Sequence, residues 1–351
     1  LRLQPDKFEA IPFEDAWFSD VDVLCSFVSK CDVIVHLAAM NRHENPQVIY
    51  DTKIRLNAAL VSALENTGTT PHVIFSSSTQ EDLDNPYGKS KKEGRRMIEA
   101  WAKQNGASFT GLVIPNVYGE FARPNYNTFI ATFAHKLIHG EQPSVLCDNC
   151  VKLIYVGSLC HFIISQFRNK GINKVEVSHD CERKVSDILA LFEEFNELYN
   201  KQGIIPPLRD RNDVNLFNTF RSYIVPRSIN LIQHADPRGV FVETIKLGTG
   251  GQVSFSSTVP GVTRGNHYHT RKIERFTVIK GTALIELRKI GTKKIWSFEL
   301  NGSQPAYVDM PVWYTHNLKN VGNDELYAQF WINEWYNPED GDTYFEEVCR
   351  N

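Results

Sequence analysis

The chain has 351 residues, a net charge of −3 and 42% hydrophobic residues. This length allows about two domains, each large enough to bury its own core. Charges of both signs are interspersed, which excludes the basic stripe of a nucleic-acid-binding protein, and no apolar stretch reaches membrane-spanning length. Seven scattered cysteines, an odd number, indicate reduced thiols in a cytoplasmic protein rather than a disulfide framework.

Strand-like and helix-like segments alternate through the first two thirds of the chain. Apolar runs at 31–37, 72–76 and 110–114 predict buried parallel strands. The segments 52–66 and 86–105 between them have the apolar spacing of helices. This alternation predicts an α/β fold built on a Rossmann-like, doubly wound parallel sheet.

From about Leu231 the sequence becomes β-rich, with short runs separated by glycine, proline and asparagine. Such a pattern is typical of an all-β sandwich or barrel. The segment 222–230, which contains Pro226, is the expected junction. The sequence therefore predicts a first domain over residues 1–225 and a second over 226–351.

Four residues of metal-ligand type lie close together in the second predicted domain. They are His267, His269, Glu274 and His316. His267 and His269 are two apart, so on a strand they point to the same face. Three imidazoles and a carboxylate suit a first-row divalent cation. We expect these four residues to bind a metal; zinc, iron and manganese all tolerate the set, and zinc is the expected ion.

The run G-x5-H-x-H-x4-E-x6-G at residues 261–281 resembles the first motif of the cupin family at every defined position. The family's second motif matches at Pro311, His316 and Asn320. Trp313 stands where the family usually has glycine. The resemblance implies a jelly-roll cupin domain.

A second constellation lies in the first predicted domain, where Tyr87 and Lys91 form Y-x-x-x-K. On a helix these residues are one turn apart on one face. A nearby ammonium lowers the pKa of a phenol, which can then exchange a proton with a ketone or hydroxyl. The serines at 76–78 end the preceding predicted strand, at the carboxyl edge of the sheet where ligands bind.

Together with the segments 36–39 and 115–119, these residues resemble the extended short-chain dehydrogenase/reductase family over residues 31–155. The resemblance implies that Tyr87 is the acid/base, that Lys91 binds the nicotinamide ribose and lowers the tyrosine pKa, and that Ser78 hydrogen-bonds the substrate oxygen. Family spacing selects Ser78 over Ser77. The implied cofactor is NADPH, and the residues expected to bind it are Leu37, Ala38, Ala39, Lys91 and Pro115. The residues expected to bind substrate are Asn116 and Asn127.

That family begins with a strand and a G-x-x-G-x-x-G turn, which holds the cofactor pyrophosphate at a helix N-terminus. No such turn precedes Val33 in this sequence. Either the sequence lacks one β-turn unit of its natural N-terminus, or the protein has lost dinucleotide binding. We adopt the first interpretation, because the tyrosine and lysine would have little use without their cofactor.

The order of the two predicted domains, with Asn-Tyr-Asn at 125–127 and Trp-Tyr-Asn-Pro at 335–338, resembles the CapF family of capsular polysaccharide enzymes. This resemblance implies a homodimer, a UDP-sugar substrate and two sequential reactions. The cupin domain would epimerise C3 of a UDP-4-keto-6-deoxy-N-acetylhexosamine. The reductase domain would then reduce the C4 ketone, giving UDP-2-acetamido-2,6-dideoxy-L-talose on the route to UDP-N-acetyl-L-fucosamine.

Three questions stay open at the level of sequence. The C3 proton could be abstracted by Tyr268, Tyr314 or a metal-bound hydroxide, and spacing favours none of them. The histidine and carboxylate ligands also suit an iron-dependent cupin oxygenase. The missing glycine turn suits a non-catalytic module that binds sugar nucleotides for assembly.

Overall fold

The computed structural model describes residues 1–349. These residues form two compact units. The first unit comprises Leu1–Tyr118, Ala122–Thr132 and Leu146–Val185, and the second comprises the other described residues. Helices that follow Ser186 belong to the second unit. The domain boundary between residues 225 and 226 stays a prediction.

The helices and strands alternate in the first unit, whereas strands predominate in the second. The helices are α1 (Val21–Val28), α2 (Pro46–Thr67), α3 (Pro86–Asn105), α4 (Phe129–Ile138), α5 (Val156–Ser165), α6 (Val185–Phe195) and α7 (Arg211–Arg221). The strands are β1 (Val33–His36), β2 (His72–Ser78), β3 (Phe109–Ile114), β4 (Asn116–Tyr118), β5 (Cys150–Tyr155), β6 (Ile172–Glu176), β7 (Cys181–Lys184), β8 (Ser228–Asn230), β9 (Gln233–Asp236), β10 (Gly239–Val242), β11 (Gln252–Thr258), β12 (Thr263–Tyr268), β13 (Glu274–Lys280), β14 (Thr282–Lys289), β15 (Ile295–Asn301), β16 (Ala306–Met310), β17 (Tyr314–Asn320), β18 (Leu326–Ile332) and β19 (Tyr344–Phe345). Among the described residues, no helix is both long and apolar enough to cross a bilayer.

The first unit is built on a four-stranded sheet in the order β1-β2-β3-β6, in which all neighbours are parallel. Side chains alternate between its two faces. Val73 and Phe75 pack with residues of α1, α2 and α3, whereas Ile74 and Leu112 pack with residues of α5. Helices therefore cover both faces, and the predicted Rossmann-like, doubly wound α/β fold is confirmed.

The second unit contains two five-stranded antiparallel sheets, in the orders β11-β18-β13-β16-β8 and β15-β14-β17-β12-β19. Phe276 and Val308 of one sheet share a buried apolar cluster with Ile285 and Leu318 of the other. Two antiparallel sheets with a common core form a jelly-roll-like sandwich. The predicted all-β architecture is confirmed.

The two longest helices, α2 and α3, have the same capping residues at both ends. The Asn45 side chain accepts from the Gln47 amide before α2, and α2 ends at Gly68 in the left-handed conformation. Asn85 caps α3 in the same way, and α3 ends at Gly106. The sequence prediction that the first of these helices begins at Thr52 was wrong, because the Asn-Pro cap adds almost two turns.

Candidate functional site

The first site lies at the carboxyl edge of the parallel sheet, where β2 ends and α3 begins. Tyr87 occupies the first turn of α3, next to Gly88. A Cβ atom at Gly88 would lie 2.4 Å from the Gln80 carbonyl and 2.7 Å from the Leu83 carbonyl. Only glycine therefore allows the start of this helix to approach the loop that follows β2 so closely.

This close approach brings Tyr87 to Ser78, and the two side chains form a hydrogen bond. Ser77 instead donates to the Glu81 carboxylate at 2.5 Å, so Ser78 is the serine that faces the tyrosine. Burial raises the pKa of Tyr87, and the hydrogen bond to Ser78 only partly opposes this rise. The direction is opposite to that predicted from the sequence, and the phenol is in its protonated form at neutral pH.

Lys91 lies one turn after Tyr87 and is almost fully buried. Its Nζ donates to the Ser76 carbonyl at 2.7 Å, and the Ser76 hydroxyl lies 3.4 Å away. Burial lowers the pKa of Lys91 to about 8. The strand end thus positions the ammonium beside the serines.

A second lysine, Lys53 of α2, was missed by the sequence analysis. Its Nζ lies 3.4 Å from the centroid of the Tyr87 ring, and the residue is only 3% exposed. Its position along the helix could have revealed it, because Lys53 lies on the same buried face of α2 as Ile49 and Leu60. A lysine on an apolar helical face is unusual enough to single out.

The residues expected to bind cofactor and substrate differ in their exposure to solvent. Residues 37–39 follow β1 and line a cavity of about 940 Å³ along that strand. Pro115 follows β3 and is buried. Asn116 is exposed and donates to the Lys152 carbonyl at 3.3 Å, and Asn127 is exposed too. Within the described chain, neither asparagine contacts Ser78.

The second site is formed by the four predicted metal ligands, which the structure brings together. One ligand atom from each of His267, His269, Glu274 and His316 lies within 4.8 Å of all the others. The Glu274 Oε2 atom is 3.0 Å from His269 Nε2 and 3.3 Å from His316 Nε2. These three atoms are buried and, among the described residues, have no geometrically good hydrogen-bond partner. A shared cation would satisfy all of them, so the donor set fits a metal.

A bulge in β12 aims His267 at this cluster. The pairing of β12 with β17 shifts register between Gly265 and His267, and His267 lies opposite His316. Asn266 between them has a left-handed φ of 58°. A Cβ atom at Gly265 would lie 2.8 Å from the His316 carbonyl oxygen. The bulge therefore requires glycine there, and re-aiming a side chain in this way is typical of bulges near functional sites.

Backbone carbonyls lie within hydrogen-bonding distance of Nδ1 in two of the imidazoles. His269 Nδ1 donates to the Asp342 carbonyl at 2.5 Å, and His316 Nδ1 lies 3.2 Å from the Tyr314 carbonyl. These contacts place the hydrogen on Nδ1 and leave the Nε2 lone pairs facing Glu274. The Asp342 carboxylate accepts from the amides of residues 270–272. No motif spacing points to Asp342, because its contacts are made across about 70 residues.

Two of the three pKa shifts in this cluster, those of His267 and Glu274, suit metal binding. Burial lowers the pKa of His267 to about 4, and the neighbouring His316 and His269 lower it further. Burial alone would raise the pKa of Glu274, but the adjacent imidazoles of His269 and His316 hold it well below its usual value. Burial would lower the pKa of His269, whereas the adjacent Glu274 carboxylate raises it overall, so a bound cation would have to displace any proton on this imidazole. An ionised carboxylate and neutral imidazole are the forms that bind a cation.

Trp313 occupies the position where glycine was expected, and its backbone explains that expectation. Its φ is 63°, in the left-handed region that favours glycine. The Trp313 amide donates to the His269 carbonyl at 2.8 Å. Its ring is stacked on Tyr268 at 5.9 Å, and Tyr268 is stacked on Tyr344 at 5.3 Å. The tryptophan thus keeps the turn and adds an aromatic contact beside the cluster.

Comparisons with known proteins cover both units. The NAD dependent epimerase/dehydratase family matches residues 4–171, and the polysaccharide biosynthesis C-terminal domain matches residues 234–344. UDP-2-acetamido-2,6-beta-L-arabino-hexul-4-ose reductase of Pseudomonas aeruginosa is 32% identical over 341 residues, which are 96% of this chain and 91% of that protein.

Two further relatives match nearly the whole chain and about a third of it, respectively. The crystal structure of the capsular polysaccharide assembling protein CapF from Staphylococcus aureus has a TM-score of 0.57 and 31% identity, covering 93% of this chain and 90% of that one. The spore coat polysaccharide biosynthesis protein SpsL of Bacillus subtilis is 27% identical over 122 residues, which are 32% of this chain and 81% of that protein.

Proposed function

The chain belongs to the family that includes CapF of S. aureus and the hexulose reductase of P. aeruginosa, and from this premise we propose that it is a bifunctional nucleotide-sugar enzyme. The second unit epimerises C3 of a UDP-4-keto-6-deoxy-N-acetylhexosamine. The first unit then reduces the C4 ketone with NADPH to UDP-2-acetamido-2,6-dideoxy-L-talose. The observation that carries this proposal is the presence of both sites in one chain that matches the reductase over 96% of its length.

The first site suits ketone reduction. The cofactor would supply a hydride to C4 of the sugar. Tyr87 donates its phenolic proton to the ketone oxygen, and its raised pKa keeps that proton available at neutral pH. Ser78, hydrogen-bonded to Tyr87, positions the same oxygen. Lys91 and residues 37–39 would hold the nicotinamide ribose end, whereas the glycine turn that would hold the pyrophosphate is not in this sequence.

The second site suits epimerisation next to a ketone. The hydrogen on C3 is acidic because its loss gives an enolate that is delocalised onto the C4 oxygen. A divalent cation, with zinc expected, would supply Lewis acidity there, held by His267, His269, Glu274 and His316. Tyr314, whose pKa is raised by burial, and Tyr268 stay alternatives for the proton transfer at C3. One carbonyl thus serves both reactions.

A homodimer is part of the same proposal. Strand β11 is an edge strand that pairs with β18 and, within the described chain, with no other strand. It exposes Val253 (54%) and Phe255 (73%). An exposed apolar edge strand is a template for pairing with another chain, and a second copy would cover it. A cytoplasmic location, where UDP-sugars and NADPH are both present, also stays a proposal.

The deciding experiment is incubation of the purified protein with NADPH and a UDP-4-keto-6-deoxy-N-acetylhexosamine. We expect absorbance at 340 nm to fall and the NMR spectrum to show inversion at C3 and a new C4 hydroxyl. Elemental analysis should find about one divalent cation per chain. Reduction without inversion would remove the epimerase assignment, and oxygen consumption without NADPH oxidation would favour the oxygenase instead.

A further inference from the structure

The buried lysine beside Tyr87 has no recorded role. Lys53 is 3% exposed, and its Nζ is a buried atom without a hydrogen-bond partner in the described part of the chain. An ammonium has three hydrogen-bond donors, and leaving them unsatisfied in a buried place costs several kilocalories per mole. Deprotonation does not remove the problem, because a neutral amine still has two unpaired N–H groups.

Among the described residues, no carboxylate forms an ion pair with Lys53. The groups next to it are the face of the Tyr87 ring at 3.4 Å and the ammonium of Lys91, which is close enough to repel it. Lys91 is satisfied by the Ser76 carbonyl, so the two lysines differ in this respect. Burial, together with Lys91, lowers the pKa of Lys53 to about 7.

The position of the Lys53 ammonium indicates what kind of group could pair with it. It stands over the ring of the tyrosine whose hydroxyl meets Ser78, so it lies beside the site proposed for ketone reduction. A structural lysine would be paired with a carboxylate or a carbonyl, as Arg95 is with Glu81 at 3.1 Å. An unpaired cation at this place is suited to an oxygen that arrives with a ligand.

We propose that Lys53 is a ligand-binding cation of the first site, whose Nζ donates to a hydroxyl or phosphate oxygen of the bound nucleotide while its charge lies on the Tyr87 ring. This inference rests on the proposed reductase function and extends it to a residue on α2. The oxygen comes from the dinucleotide or from the nucleotide sugar, and the two have the same chemistry.

The test is isothermal titration of the full-length protein with two probes, NADPH and UDP-N-acetylglucosamine, at pH 7.5 in buffers of different ionisation enthalpy. In the wild type, we expect one probe to be bound with uptake of about three-quarters of a proton at this pH, because an anionic or polar partner restores the charge of Lys53. In Lys53→Met, that uptake should disappear and the affinity for the same probe should fall about tenfold or more. The affected probe identifies the ligand.

Two variants separate this role from a structural one. Lys53→Arg keeps the charge and should retain most of the affinity. Lys92→Met removes a lysine on the solvent side of α3, where it pairs with Asp82, and should bind both probes as the wild type does. If folded Lys53→Met bound both probes with unchanged affinity and proton uptake, the proposal would be wrong while the reductase function stood. Wild-type protein that bound both probes but did not oxidise NADPH with the keto sugar would contradict the reductase function instead.

Discussion

The imidazole of His269 donates its Nδ1 hydrogen to the backbone carbonyl of Asp342, a residue 73 positions further along the chain. The carboxylate of Asp342 accepts hydrogen bonds from the amides of Thr270, Arg271 and Lys272, directly after that histidine. One buried residue therefore fixes both the orientation of a proposed metal ligand and the loop that carries it.

Replacing Asp342 should weaken metal binding without removing a ligand. In Asp342→Ala the three loop amides lose their acceptor. The backbone carbonyl that accepts from His269 is kept but is no longer held against this loop, so the imidazole is positioned less firmly. We expect metal affinity to fall about 10–100-fold, the usual effect of losing such a supporting contact, as measured by competition with a chelator. Asp340→Ala is the matched control, because Asp340 is 66% exposed and pairs only with Arg271 among the contacts seen. Equal affinities for the two variants would contradict this role.

Glu274→Gln should act on the ligand set itself. The glutamine side chain has nearly the same size as the glutamate but lacks the negative charge that balances a bound cation. Metal should therefore be retained poorly after dialysis. Deuterium incorporation from solvent at C3 should slow at least tenfold, as followed by NMR of the keto sugar. Glu299→Gln, which changes an exposed residue of β15, should behave as the wild type. Undiminished exchange in the Glu274 variant would mean that this cluster is not the epimerase site.

Tyr87→Phe should abolish ketone-dependent NADPH oxidation. The ring and its contact with Lys53 are kept, but the proton donor is lost, so the rate should fall about 100-fold or more. Metal content and C3 exchange should stay unchanged, because they belong to the second site. Stopped-flow absorbance and elemental analysis test both halves of this expectation, and normal turnover would remove the reductase assignment.

The buried carboxylate of Glu81 predicts a pH dependence of stability. Hydrogen bonds from Lys174, Ser77 and Arg95 outweigh its burial and lower its pKa to about 2. A pKa that lies below its unfolded value of 4.5 contributes stability above that value and loses it as the pH falls towards 2. The contribution at neutral pH is about 3 kcal/mol.

Thermal unfolding of Glu81→Gln against wild type tests this expectation. The variant should melt several degrees lower at pH 7, and the gap should shrink between pH 4.5 and pH 2.5. Asp82→Asn is the control, since Asp82 is exposed (73%) and pairs with Lys92. A gap that did not change with pH would show that the loss comes from packing and not from the charge.

Trp313 allows the cost of its left-handed backbone to be measured. Trp313→Ala removes the stack on Tyr268 but keeps a Cβ atom at a φ of 63°. Trp313→Gly removes the stack and the strain together. We therefore expect the glycine variant to be more stable than the alanine variant by about 1 kcal/mol, as measured by urea unfolding. The reverse order would mean that the backbone moves to another conformation in the variants.

The residues that sequence analysis placed correctly belong to short patterns. Tyr87 and Lys91 share a helix turn, and His267 and His269 share a strand end, so their spacing alone determines their relative positions. The carboxyl edge of the sheet was predictable because Ser78 ends a strand that is parallel to its neighbours. For the same reason, the roles implied by the two families could be transferred residue by residue, although these roles stay predictions.

What the sequence analysis missed depends on packing between distant segments. Lys53 and Asp342 reach their sites from another helix and from the last strand region, and no local spacing records those contacts. The expected lowering of the Tyr87 pKa was wrong because burial of the phenol, which raises the pKa, outweighs the opposing effect of Ser78. Burial is a property of the whole fold, and a pairwise pattern such as Y-x-x-x-K does not contain it.

The contact between Asp342 and the loop after His269 also sets an order of events during biosynthesis. A ribosome extrudes the chain from its first residue onwards, so three imidazoles and a carboxylate emerge well before the aspartate that orients one of them. Until Asp342 has emerged, His269 lacks the carbonyl that accepts from its Nδ1, and the amides of residues 270–272 lack their acceptor. The orientation of His269 is therefore completed only in the finished chain, when its final segment docks.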